Sequence, residues 1–232
     1  MQPTAVALLV RWKPSALLWG SLRLPIAAMS RPINSSDKTG LQFQKFLGSG
    51  HEGGFQLRPS LDHQAWFGVF ASEDQANHFV TNSELVRQYR SHSQECLALC
   101  LQAYQSRGSW SGYSIEPTAK PSTDGPIASL TRASIRLTKA ADFWRQSPNA
   151  QRDLAQAKGC LLAIGLGEMP LLRQATFSLW RSEEDLTAYA QTGAHQRAIQ
   201  AAYGGKFFSE SMFTRFQLRS ASGRWRGQSY GA

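Results

Sequence analysis

The stretch AWFGVFASEDQ, beginning at Ala65, returns as ATFSLWRSEED at Ala175. Phe67 matches Phe177, Phe70 matches Trp180, Ser72 matches Ser182 and Glu73 matches Glu183, each at an offset of 110 residues. Two further landmarks repeat in the same order. Gly48-Ser49-Gly50 follows the strand-like LQFQKFL, and Gly165-Leu166-Gly167 follows CLLAI. Gly-x-Trp-x-Gly closes each half, as Gly108, Trp110 and Gly112 and again as Gly223, Trp225 and Gly227. Three ordered landmarks indicate a tandem duplication, which restricts the fold to two copies of one supersecondary unit.

Each half reads strand, helix, strand, strand, helix, strand. In the second half, alternation and turn signals predict strands at Ile127–Arg136, Cys160–Gly165, Arg173–Trp180 and Met212–Ser220. They predict helices at Ala140–Gln156 and Glu183–Tyr203, the latter with Ser182 as N-cap and acids in its first turn. This order is the ferredoxin-like unit. The fold class is therefore α+β: tandem duplicated ferredoxin-like units packed sheet to sheet as an intramolecular α/β barrel. The Pro-, Ser- and Thr-rich stretch Glu116–Pro126 marks the junction. It divides the chain into a first repeat at 1–117, a linker at 118–126 and a second repeat at 127–232. At the start, Ala5–Val10 reads as a buried strand and Ser15–Ala27 as a helix with Pro14 in its first turn. Arg11 and Lys13 interrupt the apolar run instead of preceding it, which is not the layout of a signal peptide.

The strand from Arg173 to Trp180 alternates strictly. Helices cover one face of a ferredoxin-like sheet, and Ala175, Phe177 and Leu179 are expected to face them. Gln174, Thr176, Ser178 and Trp180 then face the barrel interior. The matching residues of the first half, Gln64, Trp66, Gly68 and Phe70, are more apolar, so the interior is expected to have one polar and one aromatic wall. Either the two walls pack on each other or they line a pocket. Gln, Thr and Ser are poor core fillers unless hydrogen-bonded, which favours the pocket. Trp110 and Trp225 are expected just after the last strand of each half, each buried against its own repeat as a structural residue.

Composition narrows the classes. Charged residues make up 18% of the chain and hydrophobic ones 42%, a globular balance. The net charge is +9, yet no Lys/Arg run exceeds two residues and no zinc-finger spacing occurs, so nucleic acid is not an expected partner. Cys96, Cys100 and Cys160 form neither a disulfide framework nor a CxxC pair, which points to a reducing compartment. No uncharged apolar segment is long enough to span a bilayer. There is no dinucleotide fingerprint, no Ser-His-Asp arrangement and no motif of paired carboxylates. The glycine run around Gly48–Gly54 lacks the Lys-Ser/Thr end of a phosphate loop and reads as a hairpin turn.

TRASIR (Thr131–Arg136) and GEMPLLRQATFSLW (Gly167–Trp180) resemble the spheroidene monooxygenase family, the acyclic carotenoid 2-ketolases. So do FQKFLGSGHEGGF (Phe43–Phe55), SRGSWSG (Ser106–Gly112) and FTRFQLRSASGRWRG (Phe213–Gly227). The resemblance runs from Trp19 onward. It implies a two-repeat relative of the dimeric α/β-barrel monooxygenases and a haem-dependent oxidation of a linear carotenoid. That reaction uses O2 and an electron donor and introduces a keto or hydroxyl group. The alternative is a non-enzymatic protein that binds haem or another hydrophobic ligand. The resemblance also implies a cytoplasmic protein, monomer or homodimer, with peripheral membrane contact open to it because its substrate resides there.

Haem iron needs an axial ligand, and the chain offers His51, His63, His78, His92 and His195. Haem-degrading relatives of the α/β-barrel class place a ligand histidine on the last helix, where His195 lies in GAHQRAIQAAY. The first half has Leu85 at the corresponding offset, so His195 is the favoured iron ligand, with His51 and His92 next. Arg132, Arg136, Arg173 and Arg197 are candidate propionate partners. The expected cofactor set is His195, Arg132, Arg173, Gln174, Thr176, Ser178 and Trp180. No catalytic residue is assigned.

Overall fold

A computed structural model describes residues 2–17, 39–54, 56, 58–120, 125–169, 172–191 and 207–230. The first half contains β1 (Thr4–Trp12), β2 (Leu41–Gly50), β3 (Pro59–Phe70), α1 (Glu73–Asn82), α2 (Glu84–His92) and β4 (Ser93–Gly108). The second contains β5 (Ile127–Ile135), α3 (Ala140–Ala155), β6 (Cys160–Met169), β7 (Arg173–Trp180), α4 (Glu183–Ala190) and β8 (Phe208–Gly223). The fold is α+β, as expected. The helix expected at Ser15–Ala27 begins with a short 3-10 turn at Pro14–Ala16 and otherwise falls almost wholly outside the described residues. Among the described residues, no helix is long and apolar enough to cross a membrane.

The repeat is visible in the register. β1 pairs antiparallel with β3, Ala5 opposite Val69 and Leu9 opposite Ala65. β5 pairs antiparallel with β7, Ala128 opposite Leu179 and Arg132 opposite Ala175. Ser72 and Ser182 cap α1 and α4 in the same way, accepting from the N–H of Gln75 and Asp185 at 3.3 Å. Acids fill both first turns and favour the positive end of the helix dipole.

Two compact units result, and they interleave the halves. One comprises Met1–Gly48, Ser60–Gln102 and Leu218–Ala232; the other comprises Ser49–Pro59 and Ala103–Gln217. The end of β8 thus belongs with the first half, and the end of β4 with the second. Two glycines make the close approach possible. Gly108 has φ +88°, and a Cβ there would sit 2.0 Å from the carbonyl oxygen of Ser211. Gly223 has φ +102°, and a Cβ there would sit 2.0 Å from the carbonyl oxygen of Cys96. Neither the backbone angle nor the space admits a side chain.

In the first unit, Trp66 stacks on Phe79 of α1 with ring centroids 4.7 Å apart, and Trp12 meets Tyr89 of α2 edge-on at 5.3 Å. Val6, Leu8, Val10 and Phe70 complete this helix-covered core. In the second unit, Trp180 tilts against Tyr189 of α4 at 5.1 Å, and both join Leu186 and Leu154. These contacts reverse the expected facing. Trp66, Phe70 and Trp180 lie on the helix-covered side, and Gln174, Thr176 and Ser178 alternate with Trp180 on that same side. The large indoles need the deep cover that helices give, whereas Ala175, Phe177 and Leu179 fill the opposite face.

Candidate functional site

The helix-free face of the second unit holds a buried guanidinium. Arg132 on β5 lies between Ala175 of β7 and Met212 of β8 and is 2% exposed. Its Nη1 donates to Glu210 Oε2, and its Nη2 lies 3.4 Å from Glu168 Oε2. Glu168 also accepts from the indole N–H of Trp110 at 2.9 Å. Glu210 accepts from the Ser109 hydroxyl at 3.0 Å and the N–H of Gly112 at 3.1 Å. The Trp110 ring lies under the guanidinium, 5.9 Å from its Cζ. Partial burial pushes the Glu210 carboxyl up. The N–H groups of Gly112 and Ser111 and the Arg132 guanidinium outweigh that and bring it down to about 2. Arg132 Nε is buried with no partner among the described residues.

Trp110 is therefore not buried against its own repeat. It belongs to the first half in sequence and reaches residues of the second. Trp225 does the reverse: it comes from the second half and meets His63 of the first edge-on, with ring centroids 5.7 Å apart. Both rings are at most 1% exposed, and each closes a small turn, Trp110 bridging Tyr113 and Trp225 bridging Gln228. The glycine crossings carry each chain end onto the other half, which the sequence motif alone does not reveal.

The helix-free face of the first unit carries a different polar group. His63 on β3 is opposite Arg11 of β1, beside the pair Leu9 and Ala65. Its Nδ1 lies 2.8 Å from Asp62 Oδ1 and 3.1 Å from Ser60 Oγ. The Ser60 hydroxyl donates to Asp62 at 2.7 Å, and Arg11 Nε donates to the other oxygen of Asp62 at 3.3 Å. Burial pushes the Asp62 carboxyl up, but the hydrogen bonds from Ser60 and His63 outweigh it and hold the group below its ordinary range. A carboxylate only accepts, so Nδ1 presents its N–H to Asp62, and Nε2 has no partner among the described residues.

Of the residues singled out from sequence, Arg132 is buried and central to a cluster, but the others do not join it. Gln174, Thr176, Ser178 and Trp180 lie on the opposite face of the sheet. Ser178 is occupied locally, accepting from the Trp180 indole N–H at 2.9 Å. Arg173 and Arg136 are exposed. His195 and Arg197 lie outside the described residues. His78 is exposed and bonded to Asn82, and His92 Nδ1 lies 3.0 Å from the carbonyl of Gln88. Glu168, Glu210 and Asp62 were not signalled by sequence as site residues. Glu168 stands in the GEMP stretch, and its contact to Trp110 spans 58 residues, beyond any local pattern.

The same geometry bears on haem. A propionate needs a free cation, and Arg132 faces two carboxylates instead; Nε is its one nitrogen without a partner among the described residues. The Arg132 cluster does not fit a propionate. Among the described residues there is no group of three or more His, Cys, Asp or Glu side chains suited to a metal ion.

No family model matches the chain. Relatives and solved structures do. A spheroidene monooxygenase of Rubrivivax gelatinosus is 46% identical over 226 residues, covering 97% of this chain and 86% of that protein. A spheroidene monooxygenase of Rhodobacter capsulatus is 35% identical over 202 residues, covering 85% of this chain and 83% of that one. Among solved structures, an aldoxime dehydratase superposes with a TM-score of 0.59 at 14% identity, over 94% of this chain and 82% of the other, which shows a shared fold alone. Identity at this level across nearly the whole chain decides the matter: the chain belongs to the spheroidene monooxygenase family of oxidoreductases.

Proposed function

We propose that the chain oxidises a linear, spheroidene-like carotenoid, adding an oxygen function to the polyene. One atom of O2 enters a C–H bond as hydroxyl. The other leaves as water, with two electrons and two protons supplied by an external reductant. A keto group would follow from further oxidation at the same carbon. The observation that carries this reading is the 46% identity over 97% of the chain. The helix-free faces support it, because outside their polar clusters they are lined by buried apolar side chains, Leu9, Phe67, Leu97 and Leu99 in one unit and Leu130, Phe177 and Phe216 in the other.

Haem belongs to the same proposal, with His195 as its iron ligand, and rests on the resemblance. Bound haem would supply the activation of dioxygen. The chain's own residues would then hold the polyene and keep water from it. The test uses purified protein supplied with haem, a reductant, labelled dioxygen and a spheroidene-type polyene. Label in the polyene product supports the reading. Binding of haem or polyene without turnover would turn it toward a non-enzymatic carrier. A haem spectrum unchanged by His195→Ala would remove that ligand.

A further inference from the structure

The two Gly-x-Trp-x-Gly corners satisfy their tryptophans differently. In the second unit the Trp110 indole N–H donates to Glu168 at 2.9 Å. In the first unit the Trp225 indole N–H is buried and has no partner among the described residues. The landmark glycines align Gly50 with Gly167, so the residue matching Glu168 is His51, which is no carboxylate. A buried donor without an acceptor forfeits its hydrogen bond to water and gains nothing in return. Such a group in a native fold calls for an explanation.

The neighbour of this N–H supplies one. His63 crosses the Trp225 ring edge-on, and its side chain keeps 9% of its surface accessible. Asp62, itself fixed by Ser60 and Arg11, orients the ring through Nδ1 and leaves Nε2 without a partner among the described residues. Leu9, Ala65 and Leu97, each at most 4% exposed, line the same face and offer no hydrogen-bonding side chain. An unpartnered indole N–H and an unpartnered imidazole nitrogen thus belong to neighbouring rings in an apolar wall, and with the imidazole neutral that nitrogen accepts. The complementary group is one oxygen that both accepts and donates.

We propose that Trp225 and His63 form a binding position for an alcohol oxygen. The hydroxyl of an oxygenated polyene accepts from the Trp225 indole N–H and donates to His63 Nε2. This rests on the carotenoid reading above and adds to it a chemical preference, for the hydroxylated over the hydrocarbon polyene. Neither residue is given a part in bond breaking; both position the ligand.

The test is a binding titration of the full chain with a linear hydrocarbon polyene and with its hydroxylated counterpart. Each is run on the wild type, Trp225→Phe and His63→Gln, with circular dichroism confirming the fold. Two neutral hydrogen bonds should favour the hydroxylated polyene about tenfold or more in the wild type. Trp225→Phe keeps one aromatic ring and removes the N–H with the rest of the five-membered ring; it should cut that preference several-fold, the hydrocarbon polyene controlling for the lost packing. His63→Gln should do the same. A preference that survives both substitutions, or no preference in the wild type while the hydrocarbon binds, overturns the alcohol position and leaves the carotenoid reading standing. Failure of both polyenes to bind the wild type overturns the carotenoid reading and the alcohol position with it.

Discussion

The corner around Trp110 and the corner around Trp225 share a motif, a turn and a glycine crossing, and differ in what the indole meets. Around Trp110 the chain provides its own answer, a guanidinium between two carboxylates with the indole N–H on one of them. Around Trp225 the register places Leu9 where Arg132 stands in the other half, and the N–H is left open beside His63. One copy of a duplicated unit has become a self-satisfied structural joint. The other keeps an unused donor and an oriented imidazole. Duplication allows this division, because one copy can hold the fold while the other is released for binding.

The largest expected effect on this comparison comes from making the Trp110 corner resemble the Trp225 corner. Arg132→Leu would remove a buried guanidinium and leave the half-buried Glu168 and Glu210 without their cation, and it should destabilise the protein by about 3 kcal/mol. Adding Glu168→Gln and Glu210→Gln should restore much of that loss in denaturant unfolding. If Arg132→Leu alone is harmless, the joint is not structural. Truncating either ring should matter similarly for both corners. Trp110→Ala and Trp225→Ala should each cost about 3–5 kcal/mol, because each removes a large buried side chain. A midpoint unchanged in either variant would contradict its burial.

A smaller difference should appear with pH. Glu210 sits at about 2 against an ordinary 4.5, so its unfolded state binds the proton first. The stability it contributes is complete above pH 4.5 and is lost as pH falls toward 2. Glu210→Gln should flatten the acid limb of the stability profile in that window. An identical limb in the variant would show that Glu210 is not held down by its partners.

Much of the fold was legible in sequence because it depends on local periodicity and on the repeat. The strand Arg173–Trp180 has the bounds its alternation suggested, and Ser182 caps the helix that its acids announced. The facing was not legible. Alternation separates Gln174 and Trp180 from Phe177, but which side the helices cover depends on Tyr189 and Leu186, whose packing no strand pattern records. The swap of the two tryptophans was hidden for a related reason. Gly108 and Gly223 mark turns in any reading, while the carbonyls they approach lie 103 and 127 residues away along the chain. Of the expected site, Arg132 was found by its strand motif. Its partners Glu168 and Glu210 were missed because nothing nearby in sequence marks them.

The most direct test compares one conservative substitution at both corners. Phenylalanine keeps one six-membered ring and removes the indole N–H with the rest of the five-membered ring, so the two buried sites share a cavity cost and differ in the hydrogen bond. Trp110→Phe also strips Glu168 of a donor and should cost about 1–3 kcal/mol more than Trp225→Phe in denaturant unfolding. Trp225→Phe removes a donor that has no partner among the described residues, so it should carry the cavity cost alone. Equal costs at the two corners, or a larger one at Trp225, would contradict the account.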